Sequence, residues 1–424
     1  MCSVMKIINK LLCGKERKSL AANFGYLSLL QIANYIFPFI TMPYLAKTIG
    51  VDGFGKLAFA AAVIIWVQTT TDWGFNYTAT RDVAKSKTDN GAVSSIFSNV
   101  LWARVLLMIA SLVVLIILIL VIPIFRENAL VLLLSFLLVP GHIACPEWFF
   151  QAMEKMKYIT IINVLSKLFF TIAVFVFIKE KNDYILQPIL SAVGYLVAGV
   201  ISFVIISKEW HIKFLKPNYS EVIKTIRKSF DVFVNNIIPN LYNSLGVIVL
   251  GFFCGSSSNG IFDAGNKFII VGNQIENTIS RTFFPLMARR IEKHNTYAKI
   301  CLSISLLISV LFFLTAPILV KLFFTDEFSP AIVVLKIRSL SVFLVALIHV
   351  YGINYLLLVG KEKVMRKITT ICSLIGFVIM IPFIYFWGYI GASVTILLTH
   401  SLLGISMFVS SKKYYKSQYG QRSS

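Results

Sequence analysis

Residues 260–285 read GIFDAGNKFIIVGNQIENTISRTFFP. The stretch is long enough to cross a bilayer, yet it carries Asp263, Lys267, Glu276 and Arg281. At about 100° per residue on a helix, Asp263, Lys267, Gln274, Asn277 and Arg281 fall within about 40° either side of one line. Phe268, Val271, Ile275 and Ile279 fill much of the other side, and Glu276 falls off the polar stripe and needs another partner. A span with a charged stripe does not face lipid; it lines a water-filled cavity or packs inside a bundle. The stretch therefore predicts an all-α integral membrane protein whose remaining helices supply that bundle.

The rest of the chain agrees. Of 424 residues, 57% are hydrophobic, and the mean hydropathy is +0.80. The apolar residues come in runs of about 20 separated by short polar connections, the pattern of helical spans. The runs are continuous rather than alternating, which excludes a β-barrel. The net charge is +21, but the basic residues sit between the spans, so they carry the positive-inside signal and not a nucleic-acid footprint. Cys2, Cys13, Cys145, Cys254, Cys301 and Cys372 are scattered, with neither metal spacing nor a disulfide framework. No glycine-rich nucleotide loop is present, and no metal or cofactor is expected. The polar, basic N-terminus without a cleavage site predicts that the first span is an uncleaved anchor.

Twelve spans are expected, at about 23–45, 54–75, 97–122, 129–150, 158–178, 185–206, 230–253, 260–285, 299–323, 336–359, 367–387 and 389–410. One set of connections holds Lys6, Lys10, Lys15, Arg17 and Lys18, then Arg81, Lys85 and Lys87, and later Arg289, Arg290 and Lys293. The same set ends on Lys412, Lys413, Lys416 and Arg422. The alternate set holds only Lys47, Lys56, Arg126, Lys179, Lys181 and Lys321. This bias places both termini in the cytoplasm and supports an even number of spans. The turn Gly53-Phe54-Gly55 after span one is echoed by Gly260-Ile261-Phe262 after span seven, and Glu154-Lys155-Met156 by Glu362-Lys363-Val364. The echoes predict two parallel six-helix bundles, 1–206 and 230–424, joined by a basic cytoplasmic linker, 207–229. Parallel halves of this kind are a transporter architecture, with the substrate path at their interface. Within the linker, Glu221–Ile226 suits a short interfacial helix.

The candidate functional residues are the ionisable and amide groups within the spans. Lys167 lies roughly 13 Å into span five at 1.5 Å per residue, among Leu165, Leu168, Phe169 and Phe170. It is read either as a cavity cation for an anionic substrate or as a structural pair. Lys267 and Asp263 stand one turn apart, so a self-neutralising pair competes with a binding role. Arg281 suits a phosphate by its planar fork, or a headgroup anchor. Asn240 and Gln274 suit sugar hydroxyls or interhelical bonds. Asp72 with Arg81 forms a candidate gate pair at the cytoplasmic end of span two. Asp263 and Glu276 are the candidate ion-coupling carboxylates. His142 and His349 read as packing histidines.

The run Asn34-Tyr35, Pro38, Pro43-Tyr44-Leu45, Gly50, Gly53-Phe54-Gly55, Asp72-Trp73-Gly74-Phe75-Asn76 and Ala79-Thr80-Arg81 resembles the start of bacterial O-antigen flippases. Residues Pro146–Glu154, PEWFFQAME, resemble their second signature, and Phe284-Pro285 a weaker third. Trp73 stands where that family usually has Tyr, and Ala152 where it usually has Gly. The resemblance implies a V-shaped transporter with a central cationic cavity, in a superfamily that also holds multidrug and toxin extruders. It implies translocation of an undecaprenyl-pyrophosphate-linked oligosaccharide repeat unit from the cytoplasmic to the periplasmic leaflet of the inner membrane. The expected partners are that lipid-linked oligosaccharide, membrane lipid, and the polysaccharide polymerase and chain-length regulator, with no nucleic acid. The first alternative is a multidrug extruder, which needs cavity carboxylates for cations; Lys267 and Arg281 beside Asp263 and Glu276 argue against one. A membrane glycosyltransferase or polymerase ranks last, because the outward loops are too short to carry a catalytic platform. Without a nucleotide motif, an ion gradient is the expected energy source.

Overall fold

The structure, a computed structural model, describes residues 14–419. Lys6, Lys10, Cys2, Cys13 and Arg422 lie outside the described residues, as do the side chains of Lys15, Arg17, Lys18, Asn235, Pro285 and Lys416. Among the described residues there is no strand. The helices are α1 (Gly14–Asp72), α2 (Phe75–Lys85), α3 (Asn90–Val121), α4 (Pro123–Glu127), α5 (Ala129–Phe136), α6 (Leu138–Ala144) and α7 (Glu147–Ala152). They continue as α8 (Met156–Phe177), α9 (Leu186–Trp210), α10 (Tyr219–Ile237), α11 (Ser244–Arg289), α12 (His294–Phe323), α13 (Ala331–Leu347) and α14 (Glu362–Tyr419). A π-helical turn, Ile348–Leu356, extends α13.

Among the described residues, 9 helical stretches are long and apolar enough to cross a membrane. Three of them, of 58, 52 and 53 residues, each have length for two crossings. Each bends at a glycine of positive φ: Gly50 at 68°, Gly255 at 76° and Gly388 at 53°. Only glycine adopts such a backbone without strain. At these places spans expected as separate run on in one helix, because the turn between them is a single-residue bend rather than a loop. The outward faces are apolar, as in Val113, Ile117, Leu120 and Val121 of α3 and Leu307, Leu314, Ile318 and Leu322 of α12, all exposed. A chain in water would bury such surface; in a bilayer it is the solvated face. The protein is a multi-pass, all-α membrane protein.

The chain packs as two compact units, the first comprising residues up to Tyr44 and Val67–Val234, the second Leu45–Trp66 and residues from Asn235 onward. Two segments cross the division expected from sequence: 45–66 packs with the second unit, and 207–229 packs on the first. The first unit is centred on an aromatic cluster. Phe97 of α3 meets Trp148 and Phe149 of α7, and Phe149 and Phe150 meet Trp210 of α9. The three α7 aromatics are at most 2% exposed, so the Pro146–Glu154 signature is a packing element. The linker is fastened by polar bonds. The Lys213 and Leu215 amides donate to Ser94 and Ser98 of α3 at 3.1 and 2.9 Å, and Trp102 Nε1 donates to the Leu215 carbonyl at 3.1 Å. Helix α10 then stacks Phe233 flat on Trp73, with ring centroids 3.9 Å apart. Trp73 and Gly74 both have positive φ, and a Cβ on Gly74 would strike Val232. Asp72-Trp73-Gly74-Phe75 is therefore a left-handed turn shaped to receive α10.

In the second unit, α13 sits among α11, α12 and α14. Gly265 and Gly272 let α11 approach it closely, because a Cβ at either would overlap Val334 or Val342. The bends of α1 and α11 meet reciprocally: a Cβ on Gly55 would overlap the Ser256 carbonyl, and one on Gly260 the Val51 carbonyl. Gly50 and Gly255 have matching dihedrals and lie 205 residues apart, as do Gly55 and Gly260. The echo between these two bends is thus visible in the backbone. It aligns Gly260 with Gly55, two residues from the Gly53 pairing suggested by the sequence. Phe54 completes this junction by edge contacts to Phe324 and Phe328.

Candidate functional site

On α11 the buried face comprises Phe262, Gly265, Ile269, Gly272, Glu276 and Ser280. The polar stripe lies on the half-covered face. Lys267 Nζ is 3.0 Å from Asp263 Oδ2, with the side chains 41% and 17% exposed. Gln274 and Asn277 are half-buried, and Asn277 Nδ2 donates to Gln274 Oε1 at 3.4 Å. Arg281 is exposed. The predicted apolar side is only partly core: Phe268 is 2% exposed, whereas Ile275 is 42% exposed. Asn240 is half-buried in a short 3-10 turn, Ile238–Leu241.

Glu276 is 2% exposed; its carboxyl lies near Ser305 of α12, and its Oε1 meets no hydrogen-bond partner among the described residues. His349 of the π-helical turn bonds the Glu276 backbone. One turn further along α11, Asn354 Nδ2 of the same π-helical turn donates to Ser280 Oγ at 3.0 Å and also contacts the Tyr297 hydroxyl. A π-helical turn shifts the side-chain phase of its helix, and here it turns His349 and Asn354 toward α11. Among the described residues Glu276 forms no ion pair, whereas Asp263 is held by Lys267. The two coupling candidates therefore differ in kind.

In the first unit, Lys167 of α8 is half-buried and within electrostatic reach of Glu147. Glu147 accepts a 2.8 Å bond from Asn163 Nδ2, one turn before Lys167. Glu147 is exposed at the start of α7. The predicted Asp72–Arg81 pair does not form. Arg81 Nε points to Asp82, 3.4 Å away, while Asp72 is held by Arg104 of α3 and lies 3.3 Å from His142 Nε2 of α6. Geometry decides the outcome: the left-handed turn at Trp73–Gly74 sends α2, and Arg81 with it, away from Asp72. His142 is therefore a polar neighbour of Asp72 rather than a packing residue. Arg104, 2% exposed, was missed because the basic residues were read as loop markers. An arginine inside the apolar run LWARVLLMIA is itself the signal. Arg338, inside α13 and 4% exposed, was missed for the same reason.

The first unit carries Lys167, and the second carries Arg281 and Lys267, the last paired with Asp263. The membrane carboxylates Asp72 and Asp263 are already neutralised.

Comparison with known proteins gives three findings. Residues 20–291 match the family described as polysaccharide biosynthesis protein. A relative from Escherichia coli (strain K12), named "Putative O-antigen transporter", is 31% identical over 94% of this chain and 98% of its own. A second of the same name, from Shigella dysenteriae, is 23% identical over 91% of this chain and 98% of its own. Among solved structures, a lipid II flippase, MurJ, in an inward closed conformation aligns with TM-score 0.71 at 15% identity, over 91% of this chain and 87% of that one. An inward-facing multidrug resistance MATE family transporter aligns with TM-score 0.67 at 14% identity, over 89% and 95% of the two chains. These two share the fold.

Proposed function

Because the chain belongs to the polysaccharide biosynthesis protein family, together with O-antigen transporters, we propose that it flips an undecaprenyl-pyrophosphate-linked repeat unit across the bacterial inner membrane. The observation that carries this reading is the charge asymmetry of the spans: Asp72 and Asp263 are paired, while Lys167 and Arg281 form no ion pair among the described residues. A pyrophosphate cannot cross hydrocarbon unaided, since burying an isolated charge costs far more than folding provides. Lysine and arginine in a wet path replace its hydration, and Asn240 and Gln274 offer amides to the sugars. The lipid tail stays in the bilayer. Transport proceeds by alternating access, one six-helix half rocking against the other, with both termini in the cytoplasm. The product is delivered to the polymerase and chain-length regulator.

An ion gradient supplies the energy. Between the two candidate carboxylates we favour Glu276, which has no cation to neutralise it and touches the π-helical turn. Collapse of the proton gradient without loss of transport removes this part of the reading.

The deciding experiment uses a strain that lacks this gene but makes the precursor, and asks which leaflet holds the lipid-linked oligosaccharide. A membrane-impermeant sugar-modifying enzyme is applied to spheroplasts. Precursor protected from the enzyme until the gene is restored is the expected result. Precursor modified normally, in a strain without a second flippase, overturns the reading and brings forward the multidrug extruder.

Within the reading, Lys167→Gln removes one charge-assisted contact of about 1.5–3 kcal/mol. It should lower surface glycan at least about tenfold, with Lys167→Arg retaining most of it. Lys267→Ala has two consequences, because Asp263 loses its partner. Asp263→Asn should relieve the orphaned carboxylate but not the lost cation, so glycan should recover only in part, whereas a merely structural pair would recover fully. Quantitative glycan blotting at matched protein level reads both.

A further inference from the structure

Arg338 stands in the middle of α13, buried in the second unit. A guanidinium keeps its charge at any cellular pH and presents five N–H donors. One of them, on Nη2, reaches Asn266 Oδ1 of α11 at 3.0 Å. Nε and Nη1 meet no acceptor among the described residues, and no carboxylate among them pairs with the group. The charged neighbours of an arginine in a membrane interior are normally acids. Here the groups close enough to interact electrically are Tyr242 and His400. Their rings meet edge to face, 5.8 Å apart, and they are 7% and 5% exposed. His400 Nδ1 has no partner either. One helical turn along α13, on the same side as Arg338, Ser341 is fully buried with its hydroxyl unbonded.

We propose that the second unit binds a small inorganic anion of the halide class on the guanidinium of Arg338. Three properties define the ligand. It is negative, because a permanent cation is otherwise left uncompensated. It is an acceptor, because Nε, Nη1 and the Ser341 hydroxyl all offer hydrogen. It is small, because Arg338, Ser341, Tyr242 and His400 are all at least nine-tenths buried, while Asn266 is half-buried. The Asn266 amide holds the guanidinium from α11, so anion occupancy ties α11 to α13 beneath the polar stripe. The site does not depend on what the protein transports.

The test is made on the full chain purified in detergent. Its thermal midpoint is followed as sodium chloride replaces sodium gluconate at constant ionic strength and pH. A saturable rise of about 3 °C is expected, reproduced by bromide and not by sulfate. Arg338→Gln should lose the rise. Should that variant not be recovered folded, Asn266→Asp carries the test: it places a fixed carboxylate beside the guanidinium and should leave a folded protein indifferent to chloride. In bromide-grown crystals an anomalous peak is expected in contact with the guanidinium. Equal midpoints in chloride and gluconate, a rise that sulfate also gives, or an unchanged rise in Asn266→Asp each overturn the proposal.

Discussion

Arg104→Ala should strip most folded protein from the membrane fraction. The Arg104 side chain is 3% exposed and its partner Asp72 22% exposed, with His142 as the third member. Removing one partner from a buried ion pair leaves the other charge without compensation, at a cost of about 3–5 kcal/mol. Whole domains are stable by only about 5–15 kcal/mol. Asp72→Asn should be milder, because the amide still accepts from Arg104. The double variant Asp72→Leu, Arg104→Leu should recover much of the loss, since two apolar groups of similar volume leave no orphaned charge. Detergent-solubilised melting curves, read by size-exclusion profile after heating, measure each. A wild-type midpoint for Arg104→Ala would show that the triad bears no structural weight, and would return Asp72 to the role of a free gate residue.

Gly55→Val and Gly260→Val are expected to be nearly as damaging, by about 3 kcal/mol each. In both cases the new side chain meets a backbone carbonyl, Ser256 or Val51, which cannot rotate away as a side chain does. The contact is reciprocal, so the first substitution already parts the surfaces. The double variant should cost distinctly less than the sum of the two, the signature of coupled neighbours. Gly25→Val is the control, because nothing lies within 4 Å of a Cβ there. Melting midpoints of the four proteins decide the matter. Additive losses would mean that each glycine serves its own helix and not a shared junction.

Much of this fold is legible in the sequence because a bilayer simplifies the reading. Every backbone polar group must be satisfied within its segment, so runs of apolar residues become helices with little competition. A local echo is legible too, Gly53-Phe54-Gly55 against Gly260-Ile261-Phe262, although the backbone dihedrals at Gly50 and Gly255 move its register by two residues, to Gly55 and Gly260. The site is less legible. Asp72 and Arg104 are 32 residues apart in sequence, and no periodicity links residues on different helices. Arg81 was the nearer basic residue in sequence but not in space, because Trp73 and Gly74 turn the chain left-handed between it and Asp72. Glu276 shows the opposite case. Helical phase alone separated it from the stripe, and its burial follows from that phase.

The 45–66 segment has a consequence for gene splitting. The chain passes between the two units at 44–45, at 66–67 and at 234–235, so a break in 207–229 divides the polypeptide without dividing the packing. An N-terminal fragment ending there carries Phe54 away from Phe324 and Phe328, and Gly55 away from Ser256. Expressed alone, it should be degraded; expressed with its complementary fragment, it should be rescued, and a tag on either piece should co-purify both. The two halves of the gene are thus expected to behave as complementing fragments rather than as portable modules. An exchange of halves between relatives would have to take residues 45–66 along with the C-terminal half.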